Sequence, residues 1–138
     1  MNKEEFPIKL IKKKDEVVLV ANLVLNLIRS FEVQFILLKG DIGSGKTTLV
    51  KEIAKVLGET SNIISPTFNK MFVYQHIVHI DAYHLDSQTL DSFEDYFEDK
   101  IVIIEWAEKL NQKFPERLEI EIVHLNDETR QYVIDWKR

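Results

Sequence analysis

One glycine-rich segment constrains the fold of this chain more than any other feature. It reads Gly40, Asp41, Ile42, Gly43, Ser44, Gly45, Lys46 and Thr47, a full match to the pattern G-x-x-x-x-G-K-[ST]. An apolar run at residues 33–38 precedes it, and apolar residues at helical spacing follow it as far as Gly58. A buried strand, a glycine turn and an amphipathic helix in this order predict a phosphate-binding loop in an α/β protein.

The residue types in this loop fit the phosphates of a nucleotide. Glycines allow the backbone to curl, so that its N–H groups point inward around a phosphate. A helix that begins at Lys46 adds the positive end of its dipole. The Lys46 ammonium would neutralise β- and γ-phosphate oxygens, and the Thr47 hydroxyl is placed to ligate Mg²⁺. We therefore expect ATP and Mg²⁺ to bind here.

Two carboxylates are candidates for the acidic partner of this loop. Glu105 ends the apolar run at residues 101–105, and Asp81 ends a less apolar run at residues 77–81. In an open α/β sheet both side chains would reach the crevice at the carboxyl ends of the strands. One would hold the metal and the other would orient the attacking water, or one would only cap a helix. Their spacing does not rank them.

The first half of the chain contains further predicted elements. Residues 6–11 predict a short strand, and Asp15 is the expected N-cap of a helix that runs to about Ser30. Residues 63–75 and 77–81 predict extended segments, with a tight turn at the dipeptide between them.

The second half completes a single three-layer α/β domain over residues 1–138. Residues 85–100 are acidic with several aromatics and predict helix or loop. Residues 117–124 and 131–136 are rich in β-branched residues and flank a polar turn, which predicts a hairpin. We expect a mainly parallel sheet with this antiparallel hairpin at one edge.

Composition restricts the functions that the chain can have. Its 138 residues include no cysteine, which excludes disulfides and thiolate metal sites. The formal net charge is −5, whereas proteins that hold nucleic acid by themselves are usually basic.

The most apolar stretch, residues 17–28, is shorter than the roughly 20 apolar residues that span a bilayer. With no targeting signal at the start, we expect a soluble cytoplasmic protein that makes no membrane contact.

With these residues in place, the chain resembles the bacterial TsaE family, the ATPase of tRNA threonylcarbamoyladenosine biosynthesis. The resemblance lies in four segments, in the order and spacing of the family: Gly-Asp-Ile-Gly-Ser-Gly-Lys-Thr-Thr at residues 40–48, Ser-Pro-Thr-Phe at 65–68, His-Ile-Asp-Ala-Tyr at 79–83 and Ile-Glu-Trp-Ala-Glu at 104–108. Very many proteins share the first segment, but its combination with the second and fourth is much more specific.

This resemblance implies ATP hydrolysis coupled to a complex of two other proteins, of the TsaB and TsaD type, with tRNA contacted only indirectly. It implies that Lys46 and Thr47 hold phosphate and magnesium, and it adds Thr48 to the nucleotide-binding segment. It also implies that Glu105 serves the metal and that Asp81 is needed for activity.

The resemblance implies a switch-like loop at residues 65–68, whose Ser65 and Thr67 hydroxyls would touch phosphate or the lytic water. Trp106 would pack either near the nucleotide or in the core. The family usually has arginine after the tyrosine of its Asp-x-Tyr motif, where this chain has His84. We therefore do not carry over a role at that position.

Two other functions are compatible with the same loop. A small-molecule kinase would use Asp81 as base, but the chain shows neither an acceptor pocket nor an arginine-bearing lid. A GTP-dependent regulatory switch would need a guanine-specificity motif, and residues 69–72 lack its aspartate. All arginines lie outside the motifs above: Arg29, Arg117, Arg130 and Arg138. Without an arginine finger, we expect slow hydrolysis that partner proteins accelerate.

Overall fold

The computed structural model describes residues 2–60, 70–83, 85–110 and 112–138. In chain order its elements are β1 (Ile8–Lys13), α1 (Val17–Phe31), β2 (Phe35–Lys39), α2 (Lys46–Leu57), β3 (Met71–Val73), β4 (Ile77–Asp81), α3 (Ser87–Asp91), β5 (Ile101–Glu105), β6 (Arg117–Asn126) and β7 (Thr129–Lys137). Single 3₁₀ turns lie at Lys3–Glu5, Lys14–Glu16, Glu94–Tyr96 and Ala107–Lys109.

The seven described strands form one sheet in the order β1-β7-β6-β2-β5-β4-β3. Its centre is parallel, because β2 pairs in parallel with both β5 and β6, and β5 pairs in parallel with β4. Strands β7 and β3 are antiparallel to their neighbours, and β1 is antiparallel to β7. The predicted fold class is confirmed. The predicted hairpin also forms, but β1 covers β7 and is itself the edge strand.

Both faces of the sheet are covered, which gives the three predicted layers. Helices α1 and α2 pack on one face, over Ile36 and Ile103. The segment that contains α3 covers the other face, where Phe97 lies over Leu37 and Ile104. Successive residues of a strand point to opposite faces, so a strand covered on both sides is apolar at nearly every position. This burial is the reason why β2 and β5 are such continuous apolar runs.

Helix α1 is amphipathic, as its sequence indicates. Val20 and Val24 are fully buried, whereas Asn22, Asn26 and Arg29 are exposed and form the predicted polar stripe. Among the residues that the structure describes, no helix combines the length and the apolar character needed to cross a membrane.

The start of α1 differs from the prediction that Asp15 is its N-cap. Asp15 lies inside the 3₁₀ turn Lys14–Glu16, and Glu16 occupies the N-cap position without a side-chain hydrogen bond to the helix. The Glu16 carboxylate instead accepts a hydrogen bond of 2.9 Å from the Lys13 backbone N–H. The capping contact therefore closes the 3₁₀ turn that precedes α1, a local alternative that residue preference alone does not resolve.

The predicted turn between β3 and β4 is confirmed. The Tyr74 N–H donates to the Ile77 carbonyl oxygen over 2.8 Å. The Lys100 ammonium ties the turn to the neighbouring strand by donating to the carbonyl oxygens of Tyr74 and Gln75, at 2.7 and 2.8 Å. Of the predicted extended segment at residues 63–75, the structure shows β3, and residues 61–69 lie outside the described part of the chain.

Two substitutions in α2 test whether burial against the sheet stabilises this fold. Ile53 is fully buried and Val56 is 39% exposed on the same helix. We expect Ile53→Ala to lower the free energy of unfolding by about 2–5 kcal/mol through lost burial and a residual cavity. Val56→Ala should change it by less than about 1 kcal/mol, since alanine also has the higher helix propensity. Urea denaturation followed by tryptophan fluorescence measures both, and equal losses would contradict this packing.

Candidate functional site

The glycine-rich segment forms a tight turn between β2 and α2, and its glycines are needed there. Gly40, Gly43 and Gly45 have φ angles of +153°, +80° and +112°. A Cβ atom at Gly40 would lie 2.5 Å from the Ser44 Oγ and 2.7 Å from the Ile122 carbonyl oxygen. Any side chain at Gly40 would therefore clash with Ser44 and with the backbone of β6.

Ser44 carries a polar group buried inside this loop. Its backbone N–H donates to the Asp41 carbonyl oxygen over 3.0 Å, which closes the turn. The residue is 2% exposed, and its Oγ has no hydrogen-bond partner among the described residues. In contrast, Asp41 is exposed and the Ile42 side chain is 93% exposed at the tip. A buried hydroxyl of this kind suits a loop that receives a polar group.

Lys46 begins α2 and turns its side chain back over the loop. Its ammonium donates to the Gly40 carbonyl oxygen over 2.6 Å. The same Nζ lies 3.9 Å from the Glu105 Oε1 and 4.2 Å from the centre of the Trp106 ring. The side chain is 8% exposed, so these contacts form in a partly dehydrated place. The structure thus brings Lys46 to the adjacent residues Glu105 and Trp106, which lie far from it in the sequence.

Glu105 ends β5 and is held from a second side by His79 on β4. The His79 Nε2 lies 2.6 Å from the Glu105 Oε2, and the His79 side chain is fully buried. The His79 Nδ1 has no hydrogen-bond partner among the described residues. Lys46 and His79 therefore face different oxygens of one carboxylate, which fixes its orientation.

No role of its own was predicted for His79 from the sequence. One signal was available: His79 is two residues before Asp81 in a predicted strand, so both side chains lie on the same face.

Asp81 lies beside Glu105 at the end of the neighbouring strand. Parallel pairing of β4 with β5 puts Asp81 opposite Glu105 in register. The Asp81 Oδ1 accepts a hydrogen bond of 3.0 Å from the Tyr83 backbone N–H, and the Tyr83 ring packs edge-on against Trp106 at 5.2 Å. Both predicted carboxylates therefore reach the same edge of the sheet.

Thr47 and Thr48 line a cavity of about 410 Å³ at the helix side of the loop. Its opposite wall comes from Lys14, Val17, Arg130 and Tyr132. Burial raises the pKa of the Tyr132 phenol, and the nearby Arg130 charge opposes this shift only in part. The wall therefore presents a neutral phenol and two cations. The volume lies in the usual range for small-molecule sites, about 300–1,000 Å³.

Arg130 is the second site residue that sequence reasoning missed. It lies on β7, and its Nε donates to the Ser44 carbonyl oxygen over 3.0 Å. Its guanidinium also donates to the Asn126 carbonyl oxygen over 2.7 Å. The sequence holds no local signal for this contact, because Ser44 and Arg130 meet only through the pairing order of the strands between them.

Three predicted positions lie outside the described residues. They are Ser65 and Thr67 of the switch-like loop, and His84. The predicted roles of Ser65 and Thr67 stay predictions, and no role was carried over to His84.

Comparison with known proteins gives one consistent family. A family model described as "Threonylcarbamoyl adenosine biosynthesis protein TsaE" matches residues 11–132. A Bacillus subtilis protein named tRNA threonylcarbamoyladenosine biosynthesis protein TsaE is 35% identical over 101 residues, which cover 68% of this chain and 64% of that protein. Proteins of the same name from Rickettsia bellii and a Nostoc species are 37% and 36% identical, over 69% and 70% of this chain and 72% and 66% of their own.

The match therefore spans less than two thirds of the length of the Bacillus subtilis relative. Among solved structures, the crystal structure of Bacillus subtilis YdiB superposes with a TM-score of 0.63 at 27% sequence identity. That superposition covers 94% of this chain and 86% of the other.

A double-mutant cycle tests the His79–Glu105 contact. We expect His79→Leu to lower the free energy of unfolding by about 1–3 kcal/mol, because it leaves a buried carboxylate without one of its partners. The double variant His79→Leu/Glu105→Leu should lose less than the sum of the two single variants, since it removes both polar groups together. Urea denaturation of the four proteins gives the coupling energy. Strictly additive losses would show that the two side chains do not stabilise each other.

Proposed function

The chain belongs to the TsaE family, and from this membership and the geometry of its loop we propose that it binds and hydrolyses ATP in support of threonylcarbamoyladenosine formation in tRNA. The names of its relatives indicate the tRNA modification pathway, and the residues of the loop are the basis for proposing ATP hydrolysis. The observation that carries the proposal is the placement of the Lys46 Nζ, 2.6 Å from the Gly40 carbonyl oxygen and 3.9 Å from the Glu105 carboxylate.

The loop fits the phosphates of ATP. The Ser44 Oγ is a buried hydroxyl without a partner among the described residues, and it can donate to a phosphate oxygen. The Lys46 ammonium has three N–H donors, and the Gly40 carbonyl accepts one of them. The start of α2 adds backbone N–H groups and the positive end of its dipole.

Two oxygen side chains fit Mg²⁺, namely the Thr47 hydroxyl and the Glu105 carboxylate. Magnesium prefers hard oxygen ligands, and in nucleotide sites it is bound by one or two protein groups together with phosphate and water. Glu105 has lone pairs to spare after contacting Lys46 and His79, so it can also accept from a metal-bound water. When bound, the ion would neutralise charge on the phosphate oxygens.

The reaction we propose is attack of water on the γ-phosphorus of ATP, which breaks its bond to the oxygen that bridges to the β-phosphate and releases ADP and inorganic phosphate. Lys46 and the loop N–H groups stabilise the charge that develops on the phosphate oxygens. We propose that Asp81, at the neighbouring strand end, orients the attacking water. For Ser65 and Thr67 the proposal of a contact to phosphate or to that water rests on the sequence motif alone. The half-buried Trp106 ring packs over the Lys46 ammonium and keeps bulk water from this side of the site.

Partner proteins would complete the site. We propose proteins of the TsaB and TsaD type as these partners, with the work done in the cytoplasm. The net charge of −5 favours contact with tRNA through them rather than directly. We therefore expect the isolated chain to hydrolyse ATP slowly, because a partner must supply an additional positive charge for full stabilisation of the transition state.

A hydrolysis assay tests this function. We expect slow ATP turnover by the purified chain, and faster turnover with the two partner proteins and tRNA. Lys46→Ala should lower the stimulated rate by about 100-fold or more, since it removes a charge that acts on the transferring phosphate. The matched control Lys51→Ala, an exposed lysine of the same helix, should leave the rate unchanged. Activity indifferent to the partners, or phosphate transferred to a nucleoside, would overturn the proposal.

The roles of the two carboxylates can be separated by magnesium titration. We expect Glu105→Gln to raise the Mg²⁺ concentration for half-maximal hydrolysis by about tenfold, as loss of an oxygen that orients the metal shell does elsewhere. Asp81→Asn should instead lower the rate at saturating Mg²⁺. Nucleotide affinity without Mg²⁺, measured by calorimetry, should stay close to that of the unmodified chain in both variants. The reverse pattern would exchange the two roles.

A further inference from the structure

We propose that Arg130 is a positioning residue for the phosphate loop. It holds the Ser44 carbonyl and thereby aims the Gly45 N–H toward the side of the loop on which Lys46 meets Glu105. This inference rests on the proposed nucleotide binding and adds a residue outside the motifs that define the loop. Its starting point is the hydrogen bond of 3.0 Å from the Arg130 Nε to the Ser44 carbonyl oxygen.

The Arg130 guanidinium is fixed at more than one point. Besides Ser44, it donates to the carbonyl oxygens of Asn126 and Thr129, at 2.7 and 3.2 Å. These two residues flank the turn between β6 and β7. A guanidinium is planar, with donors in a rigid fork, so bonds on one side fix the direction of those on the other. The hairpin turn therefore determines where Arg130 meets the loop.

The peptide between Ser44 and Gly45 transmits this constraint. It is trans, since the cis peptide among the described residues is Phe6–Pro7. In a planar trans peptide the C=O and N–H groups point in opposite directions. A donor that holds the Ser44 C=O from the hairpin side thus turns the Gly45 N–H away from the hairpin. Gly45, with φ at +112°, would otherwise have wide freedom to rotate this peptide.

The strand order shows which side of the loop the hairpin is on. The loop follows β2, with β6 and β7 on one side of that strand and β5 on the other. Arg130 approaches from the β7 side, and Glu105 attracts the Lys46 side chain from the β5 side. A Gly45 N–H that faces away from Arg130 thus faces the side of the loop on which the Lys46 Nζ meets Glu105. The next peptide, between Gly45 and Lys46, is fixed as well, because the Leu49 N–H donates to the Gly45 carbonyl oxygen over 3.0 Å.

A donor aimed in advance binds phosphate more tightly, because the cost of ordering the loop is met on folding rather than on binding. Arg130 would also attract phosphate by its charge alone, and the two effects respond differently to lysine. Lysine keeps the charge but lacks the planar fork. Arg130→Lys and Arg130→Met therefore separate positioning from attraction.

The experiment measures binding of ATP and of tripolyphosphate by calorimetry for the unmodified chain, Arg130→Lys and Arg130→Met, with Lys46→Ala as the blank. We expect both variants to bind both ligands about tenfold more weakly, by a similar factor, as for loss of one charge-assisted hydrogen bond. The Gly45 amide signal in a ¹⁵N–¹H spectrum should shift in both variants without ligand. Arg117→Met is the matched control, because Arg117 bonds Glu119 on its own strand. Thermal unfolding shows that each variant is folded.

The outcomes separate this inference from the proposed function. Full affinity in Arg130→Lys, with a loss only in Arg130→Met, would mean that charge alone acts and would overturn the positioning role. Unchanged affinity in both variants, or an unmoved Gly45 signal, would overturn it too. In all these cases the unmodified chain still binds ATP and Lys46→Ala does not. If the unmodified chain bound no better than Lys46→Ala, the proposed function would fail, and this inference with it.

Discussion

The burial of the Glu105 carboxylate is the constraint on which the arrangement of the site depends. A carboxylate taken out of water destabilises the fold unless charges and donors compensate it. Here Lys46 faces one oxygen and His79 the other, at 3.9 and 2.6 Å. These contacts connect the end of β5 to the start of α2 and to the middle of β4. The same carboxylate, which we propose as a group that serves Mg²⁺, thus links the loop to the sheet and is itself held in one orientation.

Within the loop the Lys46 ammonium already has a hydrogen-bond acceptor, and this affects the phosphate binding that we propose. Lys46 donates to the Gly40 carbonyl, so a phosphate must offer it better acceptors than a neutral backbone oxygen. Phosphate oxygens do so, because hydrogen bonds between charged groups are shorter and stronger than those to neutral acceptors. The positive φ angles of Gly40 and Gly45 persist without strain because glycine lacks a Cβ. In the nucleotide binding that we propose, the loop would therefore keep its shape while Lys46 moves from the Gly40 carbonyl to phosphate oxygens.

Local patterns predicted the strand, the turn and the helix around the loop, because their residues are neighbours in sequence and their periodicity reflects burial. His79 and Arg130 could not be predicted in the same way. His79 gains its meaning only when β4 is known to lie beside β5, and Arg130 only when β7 is known to lie two strands from β2. The N-cap at Asp15 was wrong because capping preferences are weak compared with the local alternatives of a 3₁₀ turn.

The length of the β6–β7 hairpin is explained by its contacts with the glycine-rich loop, because pairing of β6 with β2 alone would need fewer residues. Strand β2 has five residues, whereas β6 has ten and β7 nine. Pairing of β6 with β2 ends at Glu121, opposite Lys39, and β6 continues to Asn126 beyond the point where the loop begins. This overhang places the Ile122 carbonyl where it excludes a side chain at Gly40, and it brings Arg130 to Ser44. A hairpin shortened to the length of β2 would still pair in the sheet. It would, however, lack the Ile122 carbonyl beside Gly40 and the Arg130 contact to the Ser44–Gly45 peptide.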